Sequence, residues 1–147
     1  IRHLAGAVSA VQAMTARFRP ELGRDQEDLA ILNMRFSGGW YGQLFACHAT
    51  RGRGASPSVT LFGDDGCLSL DAYGAGSGLV LFPASGPPEP MPTDASWGGA
   101  YERAVTHFLD VVLNGTELIA TPQDGRENVR LVLAAYESAR TSREIGL

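Results

Sequence analysis

Few residues in this chain have side chains suited to chemistry, and their spacing decides what each can do. His107 and Asp110 stand three apart in a segment of helical periodicity, and a histidine beside a carboxylate is a common acid–base unit. Phe108 and Leu109 lie between them in an apolar stripe, so the favoured reading puts the pair on a solvated or partly packed flank of the core. Arg51 and Arg53 offer guanidinium forks for a carboxylate or phosphate. The plainer reading, two arginines keeping a glycine loop solvated, is the stronger of the two. Trp97 and Tyr101 sit where a proline-rich loop enters a helix, a place where aromatics can wall a sugar site. Tyr101 also fits the helix stripe and leans structural, while Trp97 is open between the two roles. Arg51, Arg53, Trp97 and Tyr101 are therefore the candidate substrate-binding residues.

Other chemistries are excluded more firmly. Gly74-Ala75-Gly76-Ser77-Gly78 looks like a phosphate loop, but Leu79-Val80-Leu81-Phe82-Pro83 follows it. That run is strand-like and cannot supply the helix N-terminus a dinucleotide fingerprint needs. His3, His48 and His107 lie far apart with no convergent ligand spacing, which argues against a metal. No G-x-S-x-G elbow is present for a serine hydrolase. All twelve basic residues are arginine, so no lysine general acid or Schiff base exists within these 147 residues. Cys47 and Cys67 are expected to be buried thiols of a reducing compartment rather than a disulfide framework. A net charge of −4 gives no electrostatic case for nucleic acid, and no apolar run approaches a membrane span. A cytoplasmic location is the expectation. Asn114-Gly115-Thr116 fits a glycosylation sequon only by chance on this reading.

The elements that must position these residues follow from periodicity. A first strand is expected within residues 8–18. Residues 29–36 alternate with Ala30, Leu32, Met34 and Phe36 on one face and Asn33 and Arg35 on the other. Ser37-Gly38-Gly39 then turns the chain into a partner strand from Tyr41 to Ala49. A second hairpin joins residues 59–62 and 67–71 through Gly63-Asp64-Asp65-Gly66, and Leu79 to Phe82 is one more strand. Residues 83–98, with five prolines, are expected to be irregular. Helix one spans Tyr101 to Asn114 with Gly115 as its C-cap. Helix two starts at Thr121 as N-cap with Pro122 at its first position, and carries Val129, Val132, Leu133, Tyr136 and Ala139 as its stripe. The fold class is α+β: a single, largely antiparallel (mixed) sheet with helices on one face. Leu29, Ile31, Phe45 and Cys47 leave the other face apolar, and an exposed apolar sheet face usually marks an interface.

Several local patterns, taken in order, give the chain a family resemblance. They are Leu4-Ala5-Gly6-Ala7-Val8, Phe36-Ser37-Gly38-Gly39 with Gly42-Gln43-Leu44, Phe62 to Leu70, Tyr101 to Gly115, and Thr121 through Arg143. Over nearly its whole length the chain resembles the C-terminal domain of the glucose-fructose oxidoreductase / inositol dehydrogenase / MocA family. Ser142 departs from the pattern, because the family usually has glycine after the last helix. The resemblance implies an upstream Rossmann domain binding NAD or NADP, with none bound by these residues alone. It also implies a sheet that closes the substrate cleft and forms a homo-oligomer through its open face. The family's catalytic lysine has no counterpart here, and its catalytic histidine belongs to a motif before Ile1, so no catalytic residue is carried over.

Two functions are compatible with these observations. The first is the substrate-side and oligomerisation domain of an NAD(P)-dependent oxidoreductase acting on a sugar, polyol or similar alcohol, inactive as an isolated segment. The second is a non-catalytic dimerisation or scaffold module with the same fold. An upstream glycine-rich strand–helix unit favours the first; an initiator Met just before Ile1 favours the second.

Overall fold

The structure is a computed structural model that describes residues 2–19, 21, 26–49, 58–71, 78–93 and 97–147. In chain order the elements are α1 (Arg2–Ala5), β1 (Val8–Ala16), β2 (Leu29–Phe36), β3 (Tyr41–Cys47), β4 (Ser58–Gly63), β5 (Gly66–Asp71), β6 (Gly78–Pro83), β7 (Glu89–Met91), α2 (Trp97–Asn114), α3 (Pro122–Thr141) and β8 (Ile145–Gly146). They divide into two units, Ile1–Gly54 with Ala120–Leu147, and Ala55–Ile119.

The first unit is a four-stranded antiparallel sheet ordered β3-β2-β1-β8. Alternation along the strands sends Val11 and Ala13 of β1, Met34 and Phe36 of β2, and Leu44 of β3 to one face. Met34 and Phe36 are only 2% and 3% exposed, which places the core directly over the paired strands. The β2–β3 turn is built on its glycines. Gly39 adopts a positive φ of 95°, and a Cβ at Gly38 would strike the Trp40 indole, which donates from Nε1 to the Ala5 carbonyl at 2.9 Å.

α3 covers the core face. Its start is fixed by a reciprocal cap: Asp124 N–H donates to Thr121 Oγ1 at 3.2 Å, and Thr121 N–H donates to Asp124 Oδ2 at 2.9 Å. The Thr121 hydroxyl also donates to Asp124 Oδ2 at 2.7 Å, and this bond, with that from the Thr121 N–H, holds the Asp124 carboxyl below the usual carboxylate range. Ser142 ends the helix in the left-handed region at φ 55° and ψ 33°, where the missing glycine would sit without strain. The residues that meet the sheet are Ala134, Ala135 and Ser138, with Leu131 and Ala139 beside them. Most of the expected stripe lies elsewhere: Val129, Val132, Leu133 and Tyr136 are exposed. Small side chains let helix and sheet approach closely, and their low hydrophobicity hides them from a periodicity argument. Burying Val11 completely stabilises this contact by roughly 2 kcal/mol.

The second unit holds the antiparallel sheet β4-β5-β6-β7 and α2. The β4–β5 hairpin turns at Gly63-Asp64-Asp65-Gly66, with Gly63 paired to Gly66. Glu89–Met91 is a strand in a segment expected to be irregular. It pairs with residues 79–81, and Pro90 is tolerated because β7 is an edge.

The antiparallel α+β class stands, with two amendments. The described strands form two four-stranded sheets instead of one, and every ladder in them is antiparallel. Each sheet is a meander whose ladders join strands adjacent in sequence, β8 alone returning to β1. β3 and β4 share no ladder among the described residues. The glycine-bearing segment that separates them is too long to impose a tight hairpin register.

Candidate functional site

Two surfaces gather polar or apolar side chains in a pattern worth chemical scrutiny. The first is on α2, where Glu102, Arg103, Thr106, His107 and Asp110 line a shallow depression of about 300 Å³. Helical spacing puts His107 and Asp110 on one flank, as the sequence suggested. Both already hold hydrogen bonds at the end of α2. His107 Nε2 accepts the backbone N–H of Ile119 at 3.2 Å, so its lone pair is already used. Asp110 Oδ1 accepts from Asn114 Nδ2 at 3.1 Å, and the Asp110 carbonyl takes the Thr116 amide at 3.4 Å. Together with Gly115 at φ 69°, these bonds terminate α2 and direct the chain out of it. The pair does structural work at a helix end.

The second surface is the face of the first sheet opposite α3. Strand register sets its side chains in rows across β1, β2 and β3. One row is Ala16, Leu29 and Cys47, and the next is Met14, Ile31 and Phe45. Then come Gln12, Asn33 and Gln43, and last Ala10, Arg35 and Tyr41. Met14 is 61% exposed and Phe45 58%, values that a solvated sheet face seldom gives to large apolar groups. Gln43 Nε2 donates to Asn33 Oδ1 at 3.1 Å. Arg35 donates from one guanidinium nitrogen to both Glu144 carboxylate oxygens, at 3.1 and 3.2 Å, and lies 5.8 Å from the Tyr41 ring centroid. This amide row and the Arg35–Glu144 pair were missed from sequence. Period-two alternation flags the apolar members, whereas Glu144 reaches the face only through the return of β8.

Of the candidate substrate-binding residues, Trp97 and Tyr101 both lie on α2. Arg51 and Arg53 lie outside the described residues, as do residues 74–77 of the glycine run. Gly78 opens the strand Gly78–Pro83, so no helix follows the run to receive a phosphate. Trp97 is the first residue of α2, and Tyr101, four positions on, is 67% exposed. Cys47 and Cys67 are free thiols, each half-buried, on β3 and β5. Among the described residues no three histidine, cysteine or acidic side chains converge as metal ligands. No described helix is long and apolar enough to cross a membrane.

Residues 1–147 match the model of the Gfo/Idh/MocA oxidoreductase family, C-terminal alpha/beta domain. No curated protein sequence matches the chain. Among solved structures, the fold is similar to that of the aldose-aldose oxidoreductase from Caulobacter crescentus complexed with glycerol. That likeness has a TM-score of 0.83 at 23% identity and covers 99% of this chain and 43% of that one. It is also similar to levoglucosan dehydrogenase in complex with NADH and L-sorbose, with a TM-score of 0.85 at 21% identity over 99% and 46%. GenD2 from gentamicin A biosynthesis, in complex with NAD, has a TM-score of 0.76 at 25% identity over 98% and 43%. The chain thus spans less than half the length of each of these structures. The chain belongs to the Gfo/Idh/MocA oxidoreductase family, as its C-terminal α/β domain.

Proposed function

We propose that this chain is the substrate-side and oligomerisation domain of an NAD(P)-dependent oxidoreductase that acts on a sugar, polyol or similar alcohol. The observation that carries the reading is the family match over residues 1–147. The names of the similar structures agree with it in chemistry, since they act on aldoses or levoglucosan or hold NAD or NADH. The location proposed is the cytoplasm, in keeping with two free thiols.

Within this reading the labour is divided. A nicotinamide cofactor supplies the hydride-transfer chemistry when bound. The described residues form no cradle for it, because Gly78 leads into a strand and the chain has no lysine to meet a phosphate as a point charge. Cofactor binding therefore belongs to a nucleotide-binding domain elsewhere in the parent protein, and this chain binds none alone. What this domain contributes is position: a rigid sheet backed by α3, a wall that excludes water from the substrate, and a second sheet face that joins copies. Arg51, Arg53, Trp97 and Tyr101 are the proposed substrate contacts.

Calorimetric titration with NADH tests the division. The complete protein is expected to bind the cofactor with one site per chain, and the 147-residue segment is expected to release no binding heat. Saturable binding to the segment overturns the assignment of the cofactor to another domain.

A further inference from the structure

Asn114 and Gly115, where α2 ends, are neighbours suited to react with each other. An asparagine side-chain carbonyl carbon can be attacked by the backbone nitrogen of the next residue, closing a five-membered ring. A side chain on that next residue obstructs the approach. Glycine has none and turns most freely. The chain has three asparagines, Asn33, Asn114 and Asn128, and only Asn114 precedes a glycine. No atom lies within 4 Å of where a Gly115 Cβ would stand, so the approach is open.

The fold separates the three asparagines further. Asn33 sits inside the β1-β2-β3 ladder before Met34, and Asn128 lies within α3 before Val129. Their backbones are released only when a strand or a helix opens. Asn114 is the last residue of α2, its side chain is exposed, and residues 115–118 beyond it belong to no helix or strand. Two hydrogen bonds hold the reacting groups. Gly115 N–H donates to the Val111 carbonyl at 3.2 Å, and Asn114 Nδ2 donates to Asp110 Oδ1 at 3.1 Å. Both lie in the terminal turn, where fraying costs least.

We propose that Asn114 is a site of spontaneous deamidation, and that the product opens the last turn of α2. The Gly115 backbone nitrogen loses its proton to hydroxide and bonds to Asn114 Cγ. The Cγ–Nδ2 bond breaks, ammonia leaves, and a succinimide remains. Water then opens the ring at either carbonyl, which leaves aspartate or isoaspartate. In either product the amide that donated to Asp110 is gone and a carboxylate stands in its place. In the aspartate form two like charges lie four residues apart on the helix, at the negative end of its dipole. The isoaspartate form also lengthens the main chain by one carbon at the point where Gly115 and Thr116 bond back to Val111 and Asp110.

The test uses the complete protein, held at mildly alkaline pH and sampled by tryptic mass spectrometry. Cleavage after Arg103 and Arg126 yields a peptide, residues 104–126, whose one asparagine is Asn114. This peptide is expected to gain one mass unit at least about tenfold faster than the peptides that carry Asn33 and Asn128. Asn114→Gln, whose longer side chain closes a less favourable ring, is expected to abolish the gain. Asp110→Ala, which releases the Asn114 amide, is expected to speed it. Asn114→Asp reproduces the new charge and is expected to hasten hydrogen exchange at residues 110–116 while exchange in β1, β2 and β3 stays unchanged. If residues 104–126 keep their mass in the folded protein while the urea-denatured chain converts, the helix end shields Asn114 and the proposal is overturned. Unchanged exchange in Asn114→Asp overturns the opening of the turn.

Discussion

The hydroxyl of Ser138 and the amide of Ala13 hold α3 on β1. Ala13 N–H donates to Ser138 Oγ at 2.9 Å, and the same hydroxyl donates to the Arg143 carbonyl at 2.6 Å. β8 pairs with β1 only at Ala10 and Val11, so Ala13 has no strand partner on that side. One fully buried side chain thus completes the ladder, anchors the helix and ties down the chain leaving it. Ser138→Ala strands the Ala13 donor and is expected to cost about 1–3 kcal/mol in a urea melt. Ser138→Val, which adds bulk to a close contact, is expected to cost more.

Ser142→Gly is expected to act in the opposite direction. Ser142 holds φ 55°, a region where a side chain is strained and glycine is not. Removing the side chain is expected to raise unfolding stability by up to about 1 kcal/mol, read as a higher urea midpoint with an unchanged slope.

The start of α3 predicts an acid limb. The Thr121 hydroxyl and backbone bonds, the larger causes, together with the charge of Arg2, depress the folded-state pKa of Asp124. A depressed carboxylate contributes stability that is present above its unfolded pKa and is lost as pH falls through the folded value. Asp124→Asn is therefore expected to flatten stability below about pH 4 relative to the parent protein, measured by thermal melts across pH. Thr121→Ala is expected to cost about 1 kcal/mol at neutral pH.

Tyr136 and Glu27 give a spectroscopic check on the β1–β2 connection. Tyr136 donates from its hydroxyl to Glu27 Oε1 at 2.6 Å, and that bond is the main cause that raises the phenol above its ordinary range. Ultraviolet titration is expected to find one tyrosine ionising late, and Glu27→Gln is expected to move it back. An unchanged titration means that α3 does not hold this connection.

Legibility from sequence followed the physics of each element. Leu29–Phe36 was readable because its core side chains are large and alternate. The Gly38-Gly39 and Asp64-Asp65 turns were readable because turn residues are chemically distinct. Thr121 and Pro122 announced α3 for the same reason. What stayed hidden depended on partners remote in sequence. Ala134, Ala135 and Ser138 look unremarkable until β1 lies against them, and Glu89–Met91 is too short and too proline-marked to read as a strand. The site was less legible than the fold. His107 and Asp110 have catalytic types, but Ile119 and Asn114 occupy them at the end of α2.

This domain is proposed to shape the substrate side of a nicotinamide-dependent oxidoreductase. The most direct measurement is absorbance at 340 nm during incubation of the complete protein with NAD or NADP and a panel of aldoses, polyols and anhydrosugars, with the 147-residue segment run in parallel. Reduced cofactor is expected from the complete protein with at least one member of the panel, and none from the segment. Turnover by the segment alone, or a complete protein that binds neither cofactor nor any of these alcohols, contradicts it.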